Sequence, residues 1–191
     1  MDLFPNYSRV QIFRFIKHAL DNNGLIRFSN GVYYIPEQME FGLSTISADD
    51  VITKKYIIKD KRYCGVFSGI TLLNAFSITT QMAGVIEVVS INESSRKRCV
   101  VINGRRFIVR KSRYNINNDN YATYTILQLF SDMHDSDRVN DISKAIILNY
   151  CSKNKVTKEK LLSSSTKFPA KALNRLVLSG VLDEIAWIWT V

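Results

Sequence analysis

From residue 7 to residue 22 the chain reads YSRVQIFRFIKHALDN, with Ile12, Phe13, Ile16, Ala19 and Leu20 recurring at helical spacing and Arg9, Gln11, Arg14, Lys17 and His18 between them. The spacing predicts an amphipathic helix, capped by Ser8 and stopped by Gly24, since glycine readily takes the left-handed conformation that follows a helix. Two short apolar runs then flank Ser29-Asn30-Gly31, and Asn-Gly between such runs predicts a hairpin, which Pro36 ends. A helix followed by a hairpin with a polar tip matches the second half of a winged helix-turn-helix. There the helix enters the major groove and the tip approaches phosphate or minor groove. Ser8, Arg9, Gln11, Arg14 and Lys17 on the helix, with Arg27 and Asn30 on the hairpin, are the candidate DNA contacts, because such side chains donate to base edges and phosphates. The same pattern also fits a helix and hairpin with a merely solvated basic face.

Further on, the pattern is mixed. Residues 48–56 predict a short helix and 66–76 (VFSGITLLNAF) a more buried one, in which Gly69 permits close backbone approach. Residues 85–91 (VIEVVSI) predict a strand, and 99–102 with 106–110 a second hairpin across Asn103-Gly104. In the last strand Arg106, Ile108 and Arg110 share one face, and Phe107 and Val109 the other. Residues 111–120, polar and rich in asparagine, read as a linker or mobile loop. Two core stripes follow, Ile126, Leu129, Phe130 and Met133 in one helix and Val139, Ile142, Ile146, Ile147 and Tyr150 in the next. Ser163-Ser164-Ser165 breaks the pattern. Pro169 starts the next helix, which turns Leu173, Leu176 and Val177 inward and stops at Gly180. The expected class is α+β: a partial winged-helix segment over 1–36, an α/β core over 37–115 and a helical part over 116–191.

Charge sharpens this picture. Of a net +9, residues 93–113 contribute eight basic and one acidic side chain. Arg96, Lys97, Arg98, Arg105, Arg106, Arg110 and Lys111 form a second candidate surface. A polyanion suits such a concentration, through the counterions each neutralised phosphate releases, and a solvated face suits it equally. No apolar run reaches the roughly 20 residues that span a bilayer, and the first residues do not form a secretory signal, so a cytoplasmic protein without membrane contact is expected. Cys64, Cys99 and Cys151 are too scattered for a zinc site or a disulfide framework and read as buried free thiols. The chain has no Gly-rich phosphate loop, GxSxG or HExxH. His18 and His134 are isolated, and Asp132, Asp135 and Asp137 form an acid cluster at a helix end. No enzyme, metal or cofactor is expected.

Several stretches together resemble the AbiEi-like antitoxin and transcriptional regulator family of type IV toxin-antitoxin systems: GLIRFSNGVYYIP, then FGLSTISADDVI, then GVFSGITLLNAFSITTQMAGVIEVVSIN, and near the end ILQLFSDM and FPAKALNRLV. The resemblance implies a bacterial winged-helix autorepressor that binds operator DNA, as a homodimer where the operator is two-fold. It also implies a domain that counteracts a nucleotidyltransferase-like toxin, often without a stable complex, as in abortive infection by phage. Members carry two further helices ahead of the recognition helix, where this sequence has only Met1-Asp2-Leu3-Phe4. Either the sequence starts late or its winged helix is a shortened, degenerate one, whose apolar face is expected to seek a partner subunit or the main domain. The alternative is an interaction module without DNA binding that acts through protein or RNA contact with its basic surface. An enzyme built on the Asp132 to Asp137 acids ranks third.

Overall fold

The first helix starts where the sequence places its cap. In the computed structural model, which describes residues 4–188, Ser8 Oγ accepts the Gln11 N–H at 3.3 Å and Gln11 Oε1 accepts the Ser8 N–H at 2.9 Å. This reciprocal pair satisfies two donors that the first turn leaves open and begins α1 (Arg9–Asp21). The stop differs from expectation: Asn23, at φ 56°, takes the left-handed conformation in place of Gly24. Asparagine is among the few side chains that tolerate it. β1 (Ile26–Ser29) and β2 (Val32–Tyr34) pair antiparallel as expected, with an irregularity between Arg27 and Ser29. β3 (Gln38–Met39), β4 (Gly42–Leu43) and α2 (Ala48–Ile52) follow. The Met1-Asp2-Leu3 part of the expected first segment lies outside the described residues.

The chain divides into two units: one takes Met1–Val51 with Ile102–Arg105, the other Ile52–Val101 with Arg106–Val191. In the second, a π-helical turn (Thr53–Ile57) leads to β5 (Ile58–Lys59) and β6 (Arg62–Tyr63), joined by Asp60 and Lys61 at φ 51° and 62°. Neither residue signals a turn as Asn-Gly does, so this hairpin escaped the sequence pattern. The helix expected over 66–76 is a correction. Its first half is β7 (Gly65–Ser68), and only Gly69 onward is helical, as α3 (Gly69–Ala75). Gly69, at φ +62°, supplies the turn from strand to helix, which an L side chain adopts only with strain.

β7 pairs antiparallel with β8 (Ile86–Ser90), and β8 pairs in parallel with β10 (Arg105–Lys111). β9 (Arg98–Ile102) completes the sheet in the order β7-β8-β10-β9. The alternation read from β10 holds, with Phe107 and Val109 fully buried and Arg106 exposed on the other face.

On the sheet's unit lies α4 (Tyr121–Asp132), in which every residue from Ala122 to Ser131 is buried. The sequence predicted one buried stripe; the helix is wrapped on all sides. α5 (Asp141–Lys153), α6 (Lys158–Ser165), α7 (Ala170–Leu178) and α8 (Val181–Ile188) complete the fold. One hydrophobic cluster runs from Val66 through α4 to Ile185, so segments 37–115 and 116–191 share a core. Four expectations are corrected here. Ile142 and Val177 point to solvent, Ala172 taking the inward place assigned to Val177. Ser163-Ser164-Ser165 finish α6 instead of breaking it, the Ser165 hydroxyl donating to the Leu162 carbonyl at 2.7 Å. The 111–120 segment is held and not a linker: Ile116 is buried, and Asn118 Oδ1 accepts the Tyr63 N–H at 2.8 Å. Cys64 and Cys151 are buried, but Cys99 is exposed.

Burial raises the Cys64 thiol above its usual value and pushes Cys151 up to about 12. Because the thiolate is the nucleophile, alkylation near pH 8 is expected to modify Cys99 alone, Cys64 and Cys151 reacting only in denaturant. Mass spectrometry counts the adducts; modification of Cys151 in the native protein would contradict its packing.

Candidate nucleic-acid interface

α1 buries none of its residues. Ile12, Ile16, Ala19 and Leu20 are half-buried, while Phe13 and Phe15 are 57% and 60% exposed, so Phe13, expected on the apolar face, does not share its partial burial. Phe4, Tyr7, Phe15 and Leu25 join Ile12, Ile16 and Ala19 in lining a shallow apolar groove of about 430 Å³. At 100° per residue, Arg14, Lys17 and His18 lie on the opposite side of the helix. All three are exposed, and no ion pair engages Arg14 or Lys17 among the described residues.

Not every candidate contact stays available. Ser8 Oγ and Gln11 Oε1 serve the capping box. The Arg9 guanidinium sits 5.7 Å over the Phe13 ring, away from Arg14 and Lys17. Arg27 donates to Asn30 Oδ1, which ties the β1–β2 tip together and leaves the rest of the guanidinium outward. Arg14 and Lys17 are thus the most open of the seven, and His18, sharing their face, bonds through Nε2 with the Asn22 amide at 3.0 Å.

The second surface is sorted by its acids. Arg98 donates through Nε (2.9 Å) and Nη2 (2.6 Å) to Glu93 and through Nη2 to the Tyr56 hydroxyl at 3.2 Å. Arg110 pairs with Glu87. Arg105, grouped with the first unit, pairs with Asp49 at 2.8 Å. Arg96, Lys97, Arg106 and Lys111 have no ion-pair partner among the described residues. Three members, Arg96, Arg110 and Lys111, line one cavity together with Arg113. Arg113 counted in the charge of residues 93–113 but was not singled out; its position beside β10 was the available signal.

Glu93 organises the loop before β9. Only 4% exposed, it accepts the Ser95 N–H at 3.0 Å as well as Arg98. The Ser95 N–H, then Arg98, hold its carboxyl below the usual range against the opposing effect of burial. A carboxylate with a lowered folded pKa stabilises the protein above its unfolded value, and that contribution is lost as pH falls through the folded value. Glu93→Gln is therefore expected to cost about 1 to 2 kcal/mol at pH 7 and to flatten the loss of stability below the ordinary glutamate range. Thermal unfolding at pH 7 and pH 4 checks both.

No family model, no curated protein and no solved structure matches this chain. The acid cluster is spent internally. Asp132 accepts the Gly69 N–H at 2.7 Å and the Gln128 amide at 2.8 Å, Asp135 pairs with Arg175, and Asp137 accepts the His134 N–H at 2.7 Å. Among the described residues no group of three or more His, Cys, Asp or Glu is placed to hold a metal ion, and no helix is long and apolar enough to cross a membrane.

Proposed function

We propose that this chain is a DNA-binding regulator that uses α1 and the β1–β2 hairpin to contact DNA, acting as an antitoxin opposite a nucleotidyltransferase-like toxin. The observation that carries the DNA part is α1 itself, a helix that buries none of its residues, with Arg14 and Lys17 free of ion pairs among the described residues on one face, followed in the chain by a hairpin in which Arg27 bonds the tip residue Asn30. The antitoxin part rests on the sequence resemblance. Arg14 and Lys17 would meet the groove, and Arg27 would meet phosphate.

The test is a titration against the chain's own upstream DNA and a scrambled duplex at two salt concentrations. Binding is expected to prefer the upstream DNA and to weaken with salt. Arg14→Ala with Lys17→Ala should weaken it by about tenfold or more and lower the salt slope by about two. Affinity that ignores salt and survives the double substitution would refute the reading. A second reading is favoured by the exposed Lys97 and Arg106, which have no ion-pair partner among the described residues: contact with RNA or protein through the basic surface. In that case Lys97→Glu with Arg106→Glu removes antitoxicity while DNA affinity stays unchanged.

A further inference from the structure

Where the parallel strands β8 and β10 end, Arg110 and Lys111 from β10, Arg113 just beyond it and Arg96 from the preceding loop surround a cavity of about 270 Å³. Its floor is laid by α4, through Tyr124, Gln128 and Asp132.

The cavity is built, not a chance meeting of long side chains. Tyr124 is fully buried and Gln128 is 4% exposed. The Tyr124 hydroxyl accepts the Arg113 N–H at 3.0 Å, which fixes the backbone from which Arg113 projects. The loop carrying Arg96 is clamped by Glu93 and joined to β10 by the Lys111 N–H, which donates to the Ser95 carbonyl at 3.2 Å. Arg110 Nε is buried without a hydrogen-bond partner. Glu87 Oε2, which pairs with Arg110, is buried without a hydrogen bond as well, so the acceptor nearest that guanidinium is Glu87 itself.

Charge narrows the choice of acceptor. Four cations face two carboxylates, Glu87 paired with Arg110 and Asp132 with both oxygens already accepting. The excess is two positive charges. A phosphodiester carries one negative charge, whereas a phosphomonoester carries nearly two at neutral pH and offers three acceptor oxygens to guanidinium forks.

We infer that this cavity binds the phosphomonoester group of a nucleotide, through Arg96, Arg110, Lys111 and Arg113. That group comes either from a free nucleoside monophosphate or from the phosphorylated 5′ end of a nucleic acid strand. The site belongs to the second unit and does not depend on the DNA reading of α1.

The experiment uses the full chain and a short single-stranded oligonucleotide with either a 5′-phosphate or a 5′-hydroxyl, followed by fluorescence anisotropy, with adenosine monophosphate as competitor and as a titrant in its own right. The phosphorylated strand is expected to bind about tenfold tighter, the scale of one added charge-assisted contact set. Arg96→Ala with Arg113→Ala, at two exposed positions, should erase that difference while circular dichroism shows the fold intact. Arg110→Lys gives a second, charge-conserving check and should weaken binding of the phosphate several-fold. Binding of adenosine monophosphate alone would assign the site to free nucleotides, and binding of the phosphorylated end alone to nucleic acid ends. Equal affinity for both strands together with no binding of adenosine monophosphate, or a preference that survives the double substitution, would overturn the proposal.

Discussion

Gly65→Ala is expected to destabilise the protein by about 3 kcal/mol or more, above the usual cost of overpacking. A Cβ at Gly65 would stand 2.1 Å from the Tyr56 carbonyl oxygen and 2.5 Å from that of Val89, with Ser90 Cβ at 3.1 Å. Two of these three atoms are backbone, so no rotamer change relieves the contact. Either β7 leaves β8, with which Gly65 pairs at Ser90, or the π-helical turn carrying Tyr56 shifts. For a chain of this size each kcal/mol moves the melting temperature by about 2 to 4 °C. Calorimetry should therefore show a loss near 10 °C; a loss below 3 °C would mean that the turn and strand separate easily. Gly24→Ala serves as the control, because a Cβ there meets only the Ala19 carbonyl oxygen, at the ordinary distance of 3.6 Å.

How much of this was legible depended on whether the deciding interaction is local. α1 with its cap, the β1–β2 hairpin and the alternation of β10 follow from neighbours within a few residues, and the sequence patterns found them. β7 did not, because VFSGITLLNAF satisfies a helical count while its first residues pair with β8, about 20 positions on. The full burial of α4 was hidden for another reason. Thr125, Gln128 and Ser131 lie off the predicted stripe, yet they and Thr123 are buried, Thr125 Oγ1 donating to the Tyr121 carbonyl at 2.8 Å and Gln128 to Asp132. Polar side chains that satisfy their own helix or a neighbouring acid cost little inside, and a binary pattern cannot register that.

The candidate sites divide along the same line. Exposure of Arg14 and Lys17 was legible, since helical periodicity alone places them opposite Ile12, Ile16 and Ala19. The consumption of Ser8 and Gln11 was only half legible: the Ser8 cap was read, but not the reciprocal bond from the Ser8 N–H to Gln11. Among the basic residues the count was right and the pairing invisible, because Glu87 reaches Arg110 only through the parallel register of β8 and β10. The same register, with the α4 floor, turns part of a charge run into a cavity.

Phe130→Ala is the second large effect, and it separates the fold from the proposed reading head. Phe130 is fully buried near the end of α4, and its carbonyl oxygen accepts from Arg175 at 3.3 Å. Removing the ring is expected to cost about 3 to 5 kcal/mol, lost apolar transfer plus the cavity left behind. Against a total of about 5 to 15 kcal/mol, that is a large share of what holds a domain of ordinary stability folded. Urea denaturation should show a lower midpoint at an unchanged slope, since the surface exposed on unfolding hardly differs. Arg14→Ala with Lys17→Ala, both on the exposed face of α1, should leave the unfolding free energy within about 0.5 kcal/mol of the parent, with the midpoint hardly moved, while weakening DNA binding. The two results carry weight together. A double substitution that lowers stability as much as Phe130→Ala would mean that α1's cations hold the fold, and the loss of DNA binding would then say nothing about contact. A midpoint unchanged by the double substitution, with affinity lost, leaves the helix face itself as the cause.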